Sequence, residues 1–105
     1  METSLDTVFI TLEYDKYLVS LDVHQVRPEE IENKVSNFLL KQINNGNFKV
    51  QIIYGRGGIG ILREKVQEFL DKNMQEKNQN NRLVKAWKEA VLESAGGRCL
   101  VILEG

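Results

Sequence analysis

The chain has 105 residues, a formal net charge of −1, 42% apolar residues and 28% charged residues. This length predicts one monomeric domain, residues 1–105, with its core over about residues 17–104 and a flexible start at residues 1–6. No apolar run reaches the roughly 20 residues that span a membrane, and the N-terminus lacks a secretory signal, so we expect a cytoplasmic protein without membrane contact. The single cysteine, Cys99, excludes an intramolecular disulfide and a cysteine-based zinc site.

The charges are distributed unevenly along the chain. Residues 1–40 carry eight acidic and three basic side chains, whereas residues 41–105 carry seven acidic and eleven basic ones. The near-neutral total argues against a uniformly basic coat for nucleic acid. The basic second part fits either a binding face or an ordinary solvated surface, and composition does not decide between them.

The first elements in chain order are predicted to form a β-hairpin. Val8 to Glu13 and Tyr17 to His24 are two extended runs, and the second alternates clearly between its two faces. Pro28 suits the first turn of a helix, in which apolar residues recur at helical spacing as far as Gly46.

The second part of the chain is predicted to contain three more strands and one more helix. Phe48 to Tyr54 is a strand, Leu62 to Lys72 is a helix, and a polar loop follows over residues 74–81. Leu83 to Trp87 and Cys99 to Leu103 are the last strands, and the apolar character of the final one indicates a central position. The predicted order is β-β-α-β-α-β-β, an α/β (α+β) fold with a mixed sheet and two helices.

Two polar segments are expected to meet at one edge of this sheet. A strand–helix–strand unit almost always crosses over right-handedly onto a parallel strand, so residues 17–24 and 48–54 should be parallel neighbours. Their C-terminal ends then lie together, where open α/β sheets place ligands. His24 and the glycine-rich segment after Tyr54 would be adjacent there.

The glycine-rich segment has the composition of a phosphate-binding loop. A helix N-terminus offers unpaired N–H groups and a partial positive charge, and glycines let an anion approach the backbone. A tight turn alone would equally explain Gly58 and Gly60. The segment formally matches Gly-x-Gly-x-x-Gly, but no acidic residue ends a strand about 20 residues later, which argues against a dinucleotide site. The predicted phosphate-binding residues are Tyr54, Gly55, Arg56, Gly57, Gly58, Gly60 and Arg63.

Asp22 and His24 are the candidate catalytic residues. They share one face of a strand, and His24 is the only histidine, so its side chain is the one group that ordinarily titrates near neutral pH. Asp22 would orient the ring or bind a cation. Alternatively, both residues only satisfy backbone groups at a strand end. Tyr54 and Trp87 have rings suited to stacking on bases, but both also fit core positions.

Several segments of this chain resemble the Smr (small MutS-related) domain over about residues 18–104. They are Leu21-Asp22-Val23-His24, Pro28-Glu29-Glu30-Ile31, Val50 to Gly57, Gly60 to Glu64 and Gly96 to Glu104. The resemblance implies a two-layer α/β sandwich that binds DNA or RNA. Some members nick DNA or cleave RNA. The domain occurs alone or at the C-terminus of MutS-like ATPases linked to DNA repair, recombination control and stalled ribosomes.

One departure from the family motifs bears on catalysis. Asp22 and His24 match the Leu-Asp-x-His motif, but Tyr54 stands where the His-Gly-x-Gly motif has its histidine. A phenol with a pKa near 10 is a poor general base at neutral pH, so cleavage by two histidines is unavailable. A two-metal nuclease would need several carboxylates, and only Asp22 is well placed, with Glu104 second if the last strand lies alongside.

The resemblance therefore implies a nucleic-acid-binding domain with weak endonuclease activity on DNA or structured RNA. Its motifs specify no cofactor, although Asp22 is compatible with a Mg²⁺ or Mn²⁺ ion. The alternative is a docking module for nucleic acid or the ribosome that performs no chemistry.

Overall fold

Three α-helices and four strands form the described part of the chain, which comprises residues 4–55, 60–91 and 97–105 in this computed structural model. A single turn of 3-10 helix, Pro28–Glu30, precedes the second α-helix, as the proline predicts. The elements are α1 (Leu5–Glu13), β1 (Val19–Asp22), α2 (Ile31–Asn44), β2 (Lys49–Ile53), α3 (Ile61–Met74), β3 (Val84–Glu89) and β4 (Arg98–Leu103).

The four strands form one mixed sheet in the order β1-β2-β4-β3. β1 and β2 are parallel, with Asp22 opposite Ile53, and β4 is antiparallel to both β2 and β3. The predicted parallel neighbours, the mixed sheet and the central position of the last strand are confirmed. Among the described residues, no helix has both the length and the apolar character needed to cross a membrane.

The segment predicted as the first strand is a helix, and that prediction is wrong. Ser4 caps α1, because its hydroxyl accepts a hydrogen bond from the Thr7 N–H at 3.2 Å. Phe9 and Leu12, three residues apart, are both buried on one face of the helix. Residues 4–6 form the cap and first turn of α1, residues 1–3 lie outside the described range, and the flexible start stays a prediction.

Both faces of β4 are covered, which explains its apolar sequence. Cys99, Val101 and Leu103 point into the larger core, which contains the buried residues of α2 and α3. Leu100 and Ile102 point to the opposite face of the sheet, where they pack with the buried residues of α1. The helix α1 therefore adds a partial third layer to the two-layer sandwich that the family resemblance implies.

Candidate functional site

The C-terminal ends of β1 and β2 meet at one edge of the sheet, as the sequence predicts. The Val23 N–H donates a hydrogen bond to the Ile53 carbonyl at 2.8 Å, which extends the parallel pairing beyond Asp22. The N–H groups of Tyr54 and Gly55 both donate to the Gly97 carbonyl at 3.0 Å. The end of the first motif, the start of the glycine loop and the start of β4 therefore lie side by side.

Asp22 and His24 form a hydrogen-bonded pair at this edge. His24 Nδ1 lies 2.5 Å from Asp22 Oδ1, and the same oxygen accepts the His24 backbone N–H at 3.0 Å. These two bonds, the backbone one first, hold the pKa of the Asp22 carboxyl below its ordinary value. With Asp22 ionised, Nδ1 carries the hydrogen and Nε2 is the ring nitrogen left for another molecule.

The pair is open to solvent rather than enclosed. The side chains of His24 and Asp22 are 53% and 50% exposed. Asp22 satisfies the His24 backbone N–H, as the strand-end interpretation predicts, and the half-exposed imidazole is also open to a bound molecule. A carboxylate on Nδ1 and an open Nε2 are the geometry that a general base uses.

Gly55 and Gly60 mark the two described ends of the glycine loop. Gly55 has φ +80°, and a Cβ added there would lie 3.7 Å from the His24 Cβ, so the loop begins directly beside the histidine. Gly60 has φ +75° and immediately precedes α3, with open space around it. Both positions require the left-handed backbone that glycine adopts easily. The turn-forming interpretation thus holds for Gly60, whatever else this residue does.

The middle of the predicted loop lies outside the described residues. Arg56, Gly57 and Gly58 fall in the range 56–59, so the predicted phosphate cradle stays a prediction at these three positions.

Tyr54 is a core residue, which corrects the expectation that it contacts nucleic acid. Its side chain is 4% exposed, and its hydroxyl lies 3.3 Å from both Glu89 Oε1 and Gln67 Nε2. Burial raises the pKa of this phenol further above its ordinary value. The ring is therefore not available for stacking on a base. The hydroxyl stays protonated at neutral pH and cannot act as a general base.

Arg63 is paired with a carboxylate, which weakens its predicted role as a phosphate ligand. Its Nε and Nη2 donate to the two oxygens of Glu89, each at 2.6 Å. The hydrogen bond from Arg63 is the main reason that the pKa of Glu89 lies below its ordinary value. The sequence reading missed Glu89 because it ended this strand at Trp87, two residues too early.

The described residues do not assemble a multi-carboxylate metal site. Glu104 follows β4, which is antiparallel to β2, so it lies at the opposite sheet edge from Asp22, and its suggested role as a second metal ligand is wrong. Among residues 4–55, 60–91 and 97–105, no group of three or more His, Cys, Asp or Glu side chains could hold a metal ion. Trp87 packs against the core and donates to Asp71 at 2.8 Å, as its core interpretation predicts.

A protein-family comparison matches the Smr domain over residues 21–104 of this chain. The chain belongs to the Smr domain family. None of the curated protein sequences matches it. The Smr motif containing Asp22 and His24 is thus placed at the sheet edge beside the start of the glycine loop.

Two solved Smr structures share this fold. The Smr domain of Thermus thermophilus MutS2 has a TM-score of 0.70 at 21% identity, covering 84% of this chain and 100% of that one. YdaL, a stand-alone small MutS-related protein from Escherichia coli, has a TM-score of 0.70 at 21% identity, covering 99% of this chain and 80% of that one. At 21% identity, the similarity to these two structures establishes the fold alone.

Proposed function

We propose that this Smr domain binds nucleic acid at the edge formed by β1 and β2, and that Asp22 and His24 act on the bound phosphodiester. The observation that carries the proposal is the 2.5 Å contact between Asp22 Oδ1 and His24 Nδ1 in a pair that is half exposed. The start of the glycine loop, Gly55, adjoins this pair. Together these features support a proton acceptor beside the start of the predicted phosphate-binding loop.

In the proposed reaction His24 Nε2 removes the proton of the attacking hydroxyl as its oxygen bonds to phosphorus, and Asp22 stabilises the imidazolium that results. The P–O bond to the leaving oxygen breaks, and this oxygen takes a proton from water. A positioned general base contributes typically about 10²–10⁴-fold to a rate. RNA carries its own nucleophile, the 2′-hydroxyl, next to the phosphate, whereas DNA requires a separately activated water. A site with one imidazole is therefore better suited to cleaving RNA than DNA, and slow turnover is expected because no second histidine protonates the leaving group.

The second candidate function is a docking module without chemistry. The burial of Tyr54 favours it, because the family's second histidine is replaced by a core residue. The bidentate Arg63–Glu89 pair also favours it, since a carboxylate already neutralises this arginine. In this form the domain would hold DNA, RNA or a ribosome on behalf of a larger protein, such as a MutS-like ATPase.

One assay separates the two functions. Purified wild-type protein is incubated with supercoiled plasmid and with end-labelled structured RNA, in Mg²⁺, in Mn²⁺ and in EDTA, and both binding and cleavage are measured. His24→Ala should lose cleavage by about 10²-fold or more while still binding. Asp22→Asn should also cleave slowly, because an amide cannot stabilise the imidazolium. Gln25→Ala, the exposed neighbour of His24, is the matched control and should cleave like wild type.

Three results would redirect the proposal. Binding without any wild-type cleavage would reject the catalytic role and leave the docking module. Cleavage that survives in His24→Ala would place the activity at other residues. Failure of the wild-type protein to bind either DNA or RNA would reject both candidate functions.

A further inference from the structure

A row of hydrogen-bonded polar side chains crosses the sheet on the face that carries α1. Ser20 of β1, Gln51 of β2 and Arg98 of β4 come from three neighbouring strands. Gln51 Nε2 donates to Ser20 Oγ at 2.7 Å, and Arg98 Nη1 donates to Gln51 Oε1 at 2.8 Å. The row therefore fixes the direction of the guanidinium at one end.

A second contact holds the same guanidinium against the end of α1. Arg98 Nη2 donates to the Glu13 carbonyl at 3.3 Å, a position where the partial negative charge of a helix C-terminus favours a cation. The Glu13 carboxylate accepts the Val91 N–H at 2.8 Å. Two anchors on neutral oxygens orient Arg98 and use two of the five N–H donors of its guanidinium.

The charge of Arg98 differs from that of Arg63 in one important respect. Arg63 is matched by a carboxylate, whereas no ion pair joins Arg98 to a carboxylate within the described parts of the chain. An oriented guanidinium without a matching carboxylate is suited to bind a phosphate in bidentate fashion. Arg98 therefore supplies a cation on this face, and it is not among the phosphate-binding residues predicted from the glycine loop.

Arg98 also lies in line with Asp22 across the strands, through residues paired in the sheet. Arg98 is opposite Ile53, which is opposite Asp22. Two strand spacings of roughly 4.8 Å each therefore separate Arg98 from Asp22. Directly paired residues point to the same face of a sheet, so nucleic acid lying across these strands would contact both Arg98 and Asp22.

An exposed aromatic residue follows the helix end that anchors Arg98. Tyr14 follows Glu13, whose carbonyl accepts the Arg98 hydrogen bond, and Tyr14 is 70% exposed. Combining a cation for the backbone with an open aromatic ring for stacking is the usual arrangement in proteins that bind single-stranded nucleic acid. Bases inside a duplex are already stacked on each other and cannot use such a ring.

We propose that Tyr14 and Arg98 form a binding surface for single-stranded nucleic acid, with Arg98 on a phosphate and Tyr14 stacked on a base. The surface leads the strand across the sheet toward Asp22 and His24. This inference rests on the proposed nucleic-acid binding and adds the strandedness of the partner and two residues that select it. Tyr14 precedes residues 21–104, so part of this surface lies outside the segment that the family comparison matches.

The test measures binding of labelled oligonucleotides of one sequence as single-stranded RNA, single-stranded DNA and duplex. Tyr14→Ala should weaken binding of both single strands by about 5- to 150-fold and leave duplex binding unchanged. Arg98→Gln should weaken binding and reduce the salt dependence by about one unit, while Arg98→Lys should retain part of the affinity. Tyr17→Ala, also an exposed tyrosine, and Lys34→Gln on α2, on the other face of the sheet, are matched controls.

The outcomes distinguish this inference from the proposal on which it rests. Circular dichroism first establishes that each variant is folded, and Tyr14→Ala provides a test that does not disturb the core. Nucleic-acid binding that is unchanged in both Tyr14→Ala and Arg98→Gln, or that prefers the duplex, overturns this surface while the proposed function stands. Absence of wild-type binding to every oligonucleotide overturns both.

Discussion

Two carboxylates near the end of β2 act on their neighbours in different ways. Asp22 contacts His24 in a pair that is half exposed, so it orients an imidazole that other molecules can reach. Glu89 is 25% exposed and accepts both Arg63 and the Tyr54 hydroxyl. The first carboxylate orients a side chain at the surface, whereas the second joins α3, the end of β2 and β3. We therefore expect substitutions around Asp22 to change function and those around Glu89 to change stability.

Tyr54→Phe tests the core role of this residue. The substitution removes a hydroxyl whose hydrogen bonds to Glu89 and Gln67 are both 3.3 Å long and keeps the ring that fills the core. The free energy of unfolding in urea should fall by about 0.5–1.5 kcal/mol, the usual net value of a hydrogen bond, while nucleic-acid affinity stays the same. Tyr17→Phe, at a 93% exposed position, is the control and should change neither quantity. A large loss of affinity in Tyr54→Phe would show that this hydroxyl contacts nucleic acid.

At the scale of elements, α1 and β4 bury each other's apolar residues. Alternate residues of β4 point to opposite faces of the sheet, and Leu100 and Ile102 need a cover on the face away from α2 and α3. Phe9 and Leu12 of α1 supply that cover. The same helix ends at the Glu13 carbonyl that anchors Arg98, so packing of α1 also shapes the proposed binding surface.

Leu12→Ala tests the contribution of α1 to stability. Leu12 is 3% exposed in the smaller core, so truncation should lower the free energy of unfolding by about 2–5 kcal/mol. Ile10→Ala, on the same helix but 54% exposed, should change it by less than about 0.5 kcal/mol. Chemical denaturation followed by circular dichroism measures both. Equal small effects of the two substitutions would mean that α1 does not pack on the sheet.

At the scale of the whole molecule, the order β1-β2-β4-β3 puts the most protected strands in the middle. Cys99 of β4 is fully buried in the larger core, and desolvation raises the pKa of its thiol to about 12. Only the thiolate reacts readily with disulfide reagents, so this residue is protected both by its pKa and by its position.

Labelling of Cys99 should therefore report unfolding of the whole domain. At pH 8 the native protein should resist a disulfide reagent, and the labelling rate should rise with urea in step with loss of structure. A Lys34→Cys variant, with its new thiol at an exposed position, should label once quickly and leave Cys99 unreacted. Rapid native-state labelling of the wild-type protein would show that the β4 region opens without global unfolding.

The sequence by itself determined the sheet edge at which the candidate site lies. Helical and alternating periodicity predicted α2, α3 and β2, and the right-handed crossover then required β1 and β2 to be parallel neighbours. Asp22, His24 and Gly55 had to meet once that relation held. The unbroken apolar run of β4 likewise predicted its central position, because only a strand covered on both faces tolerates one.

Tertiary structure alone decided the identity of α1 and the roles of Tyr54 and Arg63. Residues 8–12 contain three β-branched residues and a phenylalanine, so local preference favours a strand, and only the uncovered face of the sheet makes the helix favourable. Glu89 is 26 residues from Arg63 and 35 from Tyr54, and strand order brings them together. Whether an arginine faces a phosphate or a carboxylate depends on such distant neighbours, which periodicity does not reveal.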